Sequence, residues 1–414
     1  MKLLFITPCL ANGGGENVVA RLASALDDRH EIHVACTWPE GNARGMYPID
    51  SRVRISELHA QFPVRPRTPS MAYRLEHRSM AQQLRQLKRE IGVDVSISVL
   101  TPCNYDNVKS CVGEPTIVSI RNILEPTLGD ERISAAAMRR IITRSGKRAD
   151  AVVCVAKNVA DEQTAVFGVP AGKTRVIYNP VDSAELGRDA LLPTGDSEFE
   201  SFRAAHEQIV VTVGRFAPQK GHRHLLRAFA ASLEARPAAG LVLLGRGSLE
   251  EELRGLAADL GISEHVYFAG FSPTPAAYLA RSDLFVMSSQ REGFSNALLE
   301  ACACGLPIVS TDCNSGPREL LAPSTDSHQQ THGIELADYG MLVPVCDNAE
   351  GAHEPLDHAE RVLADAITRM LSDDELRARY ARQSRERARQ FDIASIVAQW
   401  EELIEVLVAK RVRR

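Results

Sequence analysis

Two carboxylates separated by seven residues, Glu292 and Glu300, lie in the stretch SSQREGFSNALLEACACGLPIVSTDCNSGP, residues 288 to 317. Glu292 precedes a predicted helix, and Glu300 falls inside it, on a turn too apolar to face solvent as a whole. Ser295 suits the cap of that helix, whose start carries unpaired N–H groups and a partial positive charge. The amides around Phe294, Ser295 and Asn296 therefore suit a phosphate. The carboxylates, being anions, suit sugar hydroxyls instead. A second pair, Arg215 and Lys220, flanks Pro218 just before a helix expected at His222. Strand end, loop and helix start form the usual crevice for a phosphate in an open α/β sheet. Two cations there can hold a phosphate or diphosphate, supplying charge that other sites take from a divalent metal. The sequence has no Asp-x-Asp, which favours a metal-independent reading. Taken alone, an arginine and a lysine near a turn are more often surface residues, and a carboxylate in a helix is often a cap or a satisfied core group.

The elements that must position these groups are legible in the apolar runs. Residues 2 to 7 read as a strand, Gly13 to Gly15 as a turn and 16 to 28 as a helix with Val18, Val19, Leu22, Ala25 and Leu26 on one side, which opens a βαβ unit. EIHVACT, VDVSISV, PTIVSI, AVVCVA and TRVIYN recur at intervals wide enough for helices, and strands alternating with helices imply a parallel sheet. After YNPVD, residues 178 to 182, the pattern lapses into a polar stretch, 183 to 208, read as the joint between domains. A second series runs from IVVTVGR through LVLLG, VYFAG, LFVMSS, PIVST and MLVPV. The fold class expected is α/β with two doubly wound, Rossmann-like halves, 1–180 and 181–391. Residues 322 to 333 and 346 to 358 have loop composition, and the last helix ends in basic residues that suit its C-terminus.

The unit EGFSNALLEACACGLPIVSTD resembles the signature of glycosyltransferase family 4, retaining enzymes of the GT-B fold. VGRFAPQKGHRHLLRAF (213 to 229), LLGRGSLEEELRGLAADLGISEHVYFAGF (243 to 271) and CLANGGGENVVARLASAL (9 to 26) resemble the family's other blocks in the same order. The resemblance implies a donor cleft between the two domains and a final helix, after about 392, that crosses back onto the first. It implies that Arg215 and Lys220 hold the diphosphate, that Glu300 takes the ribose hydroxyls, and that Glu292 with the amides after it addresses the transferred sugar. Arg246, Gly247 and Phe271 would line the nucleotide site, although a lone G-x-G after a strand usually only turns the chain. Gly14 and Gly15 would face the donor from the first domain, where the absence of side chains lets backbone amides approach it.

Two departures from the family pattern stand in the first half. Asn17 occupies a position where an arginine is common. At VSIRNILEP, 118 to 126, many members place a histidine, and this chain has Arg121-Asn122. Arginine is no base at neutral pH. With front-face attack the departing phosphate oxygen can take the acceptor's proton, so Arg121 and Asn122 are assigned to positioning the sugar or an acceptor phosphate; a strand-end cap is the bland alternative.

With 44% hydrophobic and 24% charged residues in 414, the composition is that of an ordinary soluble protein. MKLLFITPCL reads as a first buried strand and not a signal peptide, no run approaches a transmembrane helix, and the nine cysteines show no C-x-x-C or zinc spacing. A cytoplasmic protein without metal or cofactor is expected. Residues 1 to 178 carry a net +6 and the remainder −11, within a total of −5. The basic excess gathers in 52 to 89 and 132 to 148, which is either a solvated helix face or a surface for anionic membrane or a lipid diphosphate at the inner face of the plasma membrane. No nucleic-acid partner is expected. NSGPREL resembles members that move N-acetylhexosamines or galactose-type sugars from UDP-sugars to polyprenyl-diphosphate-linked glycans. A nucleotide-sugar epimerase, a phosphorylase of similar fold and a non-catalytic sugar-nucleotide binder are the rivals. Phosphate dependence, or free sugar released without acceptor, separates the first two.

Overall fold

The computed structural model describes residues 1–11, 13–38, 47–60, 68–124, 128, 133–346 and 354–412, without the side chain of Val412. Parts of the two basic segments (61–67 and 132), the end of VSIRNILEP (125–126), most of the 346–358 loop and the basic terminus at Arg413 and Arg414 lie outside the described residues.

The chain divides into two compact units, Met1–Pro180 with Ile393–Arg414, and Val181–Asp392. The first runs β1 (Lys2–Thr7), α1 (Gly14–Leu26), β2 (Glu31–Cys36), β3 (Arg54–Glu57), α2 (Pro69–Ile91), β4 (Val95–Val99), α3 (Thr101–Lys109), β5 (Thr116–Ile120), α4 (Ala135–Arg148), β6 (Ala151–Cys154), α5 (Lys157–Ala165) and β7 (Thr174–Val176). Its sheet is parallel throughout, in the order β3-β2-β1-β4-β5-β6-β7. The central strands β1, β2, β4, β5 and β6 are buried almost end to end, as parallel strands covered on both faces must be, which is why they read as unbroken apolar runs.

The second unit runs α6 (Ser183–Asp189), α7 (Ser197–Ala205), β8 (Gln208–Val213), α8 (His222–Ser232), β9 (Ala239–Leu244), α9 (Glu250–Asp259), β10 (Val266–Gly270), α10 (Pro275–Leu279), β11 (Leu284–Met287), α11 (Asn296–Cys304), β12 (Ile308–Thr311), α12 (Pro317–Leu321), β13 (Glu335–Leu336), β14 (Met341–Val343), α13 (His358–Ser372) and α14 (Asp374–Arg389). Its sheet follows the order β10-β9-β8-β11-β12-β14-β13, parallel except for the β13–β14 edge. The last helix, α15 (Ile393–Val412), belongs to the first unit and buries Ile396, Val397, Trp400, Ile404 and Leu407 in a core shared with α1 and β1. Among the described residues no helix is long and apolar enough to cross a membrane.

The polar stretch 183 to 208 is not a linker. It folds as α6 and α7, each started by an aspartate whose carboxylate accepts from the third residue on, Asp182 from Glu185 and Asp196 from Phe199. Short helices that bury one residue each, Leu186 and Phe199, leave too little apolar periodicity to be seen in sequence.

Candidate active site

Among its parallel strands each sheet reverses its order once, between β1 and β4 in the first unit and between β8 and β11 in the second. Ligands in open α/β sheets sit outside the carboxyl ends of the strands at this point. In the second unit the loop after β8 carries Arg215 and Lys220, and the loop after β11 carries Glu292.

These two loops are stitched together. The Ser288 hydroxyl donates to the Lys220 carbonyl at 2.9 Å, the Gln290 amide to the Gln219 carbonyl at 2.8 Å, and the Gln219 side chain to the Arg291 carbonyl at 2.6 Å. Gly221 makes the approach close, because a Cβ there would overlap the Ser288 carbonyl oxygen, and its φ of +63° suits glycine alone. Lys220 Nζ then reaches Glu292 Oε1 at 2.6 Å, with Ser289 Oγ donating to the same oxygen at 2.6 Å. Glu292 is 7% exposed. The sequence reading gave these two residues separate tasks; the structure pairs them.

Beyond Glu292 the backbone turns into α11 as the sequence implied. Ser295 Oγ accepts from the Leu298 amide at 3.4 Å, and Gly305 closes the helix at φ +77°. Glu300 is buried in this helix and Phe294 is buried beside Phe391, ring centroids 5.2 Å apart. The segment after β12 backs the same loop: Ser315 Oγ donates to the Gly293 carbonyl at 2.8 Å and Thr311 Oγ1 to the Ser289 carbonyl at 2.6 Å. Behind it, Arg318 is clamped between Asp312 at 2.5 Å and Glu335 at 2.7 Å.

Arg215, Arg246 with Gly247, and Phe271 follow the neighbouring strands β8, β9 and β10 and are exposed at their carboxyl ends. A Cβ on Gly247 would strike the Phe216 carbonyl, so this glycine serves a close backbone approach within the protein. His222, first residue of α8, is buried with Nδ1 lacking a hydrogen-bond partner, and burial together with Lys220 pulls its pKa down to about 3. It is a neutral ring packed edge-on to Phe216.

The switch point of the first unit is built differently. Gly14 and Gly15 open α1, and a Cβ on Gly15 would lie in ordinary contact with Arg121 Cγ and Leu100 at 3.8 Å, so the position has room for a methyl group. Leu100, between β4 and α3, holds φ +68°, the one positive value outside glycine among the described residues, a conformation costing on the order of 1 kcal/mol or more. Arg121 donates to the carboxamide oxygen of Asn179 and, at 3.4 Å, to Ser119 Oγ. Burial pulls the pKa of Arg121 down to about 10, with Glu16 acting against the shift, so the guanidinium stays charged at neutral pH. Asn122 turns its side chain back to accept from the Ile123 amide at 2.9 Å.

Sequence reasoning missed Ser289, Thr311, Ser315, Asn179 and Leu100. Asn179 carried a signal, Asn-Pro, but that signal marks a turn and does not name Arg121 as the partner. Among the described residues one group has metal-like spacing, His224, Asp357 and Glu360. Its Glu360 carboxylate is taken by Arg227 on both oxygens, at 2.8 and 3.0 Å, and by His224 at 2.9 Å, which makes it a structural anchor of α8 on α13.

Two doubly wound α/β domains of this topology define the GT-B class. The Anabaena protein HepE, solved in complex with UDP, shares the fold with a TM-score of 0.73 at 20% identity, covering 98% of this chain and 100% of that one. Residues 12–185 match the family model Glycosyltransferase Family 4, and residues 195–327 match Glycosyl transferases group 1. The chain belongs to glycosyltransferase family 4. It is 27% identical over 398 residues, 95% of this chain and 97% of the other, to an N-acetylgalactosaminyltransferase of Campylobacter jejuni whose named acceptor is a diphospho-undecaprenol-linked glycan. It is 36% identical over 237 residues to an uncharacterized glycosyltransferase of Methanocaldococcus jannaschii, spanning 58% of that relative's length and 56% of its own.

Proposed function

We propose that the chain transfers a sugar, of the N-acetylhexosamine or galactose type, with retention from a UDP-sugar to a growing glycan carried on a polyprenyl diphosphate. The carrying observation is the constellation at the β8/β11 switch point, where a buried carboxylate, a lysine and a capped helix start converge on one loop. In this reading Arg215 and Lys220 hold the diphosphate and Glu300 the ribose. Glu292 and the amides of Phe294, Ser295 and Asn296 hold the transferred sugar and its phosphate, while Arg246, Gly247 and Phe271 flank the nucleotide. The near full-length likeness to the Campylobacter enzyme supports the hexosamine and the lipid-linked acceptor, and HepE, of like fold, was solved with UDP. The first unit serves the acceptor, with Arg121 and Asn122 positioning the sugar or an acceptor phosphate, while Gly14 and Gly15 are its donor-facing residues. Exposed Arg74 and Arg78 on α2 and Arg140, Arg144, Lys147 and Arg148 on α4 suit an anionic membrane surface.

The test is incubation with UDP-sugars and a polyprenyl-diphosphate-linked saccharide in EDTA, reading the product's anomeric configuration by NMR. A retained linkage formed without metal is expected. An inverted product, an epimerised donor or activity restored only by magnesium would contradict the reading.

A further inference from the structure

The donor reading sends Lys220 to the diphosphate and Glu292 to the sugar, yet the two side chains hold each other at 2.6 Å. Glu292 Oε1 takes two donors, and they differ in freedom. Ser289 is 1% exposed, and its carbonyl is tied to Thr311 Oγ1 at 2.6 Å, so its backbone is held in place. Lys220 ends a flexible four-carbon stem, and its side chain is 23% exposed. A diphosphate beside Arg215 carries more negative charge than one carboxylate and attracts the ammonium more strongly.

We propose that Lys220 is exchanged on donor binding. Paired as it is, it neutralises Glu292; a nucleoside diphosphate sugar draws the ammonium to its phosphates and leaves Glu292 ionised, held by Ser289 and open to the sugar's hydroxyls. The proton stays on Lys220 and no covalent bond changes. Ser289 is then a positioning residue, keeping the carboxylate aimed after the lysine has left. The inference rests on the donor reading above. It also changes what Glu292→Gln does: this carboxylate competes with the diphosphate for Lys220, so removing its charge helps UDP and harms transfer.

Calorimetry with UDP, beside turnover of the UDP-sugar, tests this. Glu292→Gln binds UDP about two- to tenfold more tightly than the unaltered chain, the range of a partly exposed ion pair, while turnover falls. Adding Lys220→Met removes the gain. Ser289→Ala keeps UDP affinity within about twofold and lowers kcat by about tenfold, the cost of a hydrogen bond to a charged group; a general loosening of the loop would move both readouts and the melting temperature. If Glu292→Gln melts early, Glu292→Asp, which draws the charge back from the ammonium, gives the same direction. UDP affinity unchanged or weakened in folded variants overturns the exchange. An unaltered chain that binds no UDP overturns the donor reading instead.

Discussion

The two switch points share a topology and differ in what they are made of. At β8/β11 the second unit crosses its loops with side-chain and backbone hydrogen bonds and sets a half-buried ion pair among them. At β1/β4 the first unit offers a glycine turn, a strained Leu100 and one half-buried guanidinium held by Asn179. The difference fits the proposed ligands. A nucleotide diphosphate is the same for every donor of its class and suits a pair of loops tied together by hydrogen bonds. Acceptors vary, and a site made of backbone and loop residues can change its occupant by changing its loops.

Glycine substitutions should separate the two designs with the largest effect. Gly221→Ala places a Cβ into the Ser288 carbonyl at a positive φ and should destabilise the protein by about 2 kcal/mol or more in denaturant melts. Gly15→Ala has room, so it should leave stability within about 0.5 kcal/mol and yet reduce turnover, because its Cβ would stand where a ligand approaches. Equal loss of stability in both would erase the contrast.

Within the first pH unit of acidification a smaller effect is expected. His222 is buried and neutral, with a pKa pulled down to about 3, whereas in the unfolded chain it protonates near its ordinary 6.5. The unfolded state therefore takes up the extra proton between those values, and stability falls as pH drops from about 6.5 toward 3, by up to about 1.4 kcal/mol per pH unit. His222→Leu should flatten that limb of the melting profile. A limb of unchanged slope would place the acid sensitivity elsewhere. Smaller still, Ser295→Ala removes the cap of α11 and should cost about 1 kcal/mol, read as a shifted denaturation midpoint.

What was legible in the sequence follows the same division. Helix α11 with its Ser295 cap and Gly305 stop could be read to the residue, because local chemistry fixes both ends. The apolar strand runs announced both parallel sheets. The Lys220–Glu292 pair was not legible, because its partners lie far apart in sequence and meet only when β8 and β11 become neighbours. Arg121 was visible as a departure from a family pattern, but its anchor Asn179 lies 58 residues on, after β7, and no local signal joins them. Leu100 shows no mark of its backbone strain, since leucine is the wrong residue to expect at a positive φ.

The central claim is that the second unit alone holds the nucleotide while the first addresses sugar and acceptor. Calorimetry with UDP on Glu300→Gln and on Arg121→Gln, each with an unchanged melting temperature, tests it most directly. Glu300→Gln should weaken UDP about tenfold to a hundredfold, the cost of a lost hydrogen bond to a charged group, whereas Arg121→Gln should leave UDP affinity within about twofold and reveal itself in turnover with acceptor present. Comparable losses of UDP affinity in the two variants, or a loss confined to Arg121→Gln, would contradict the account.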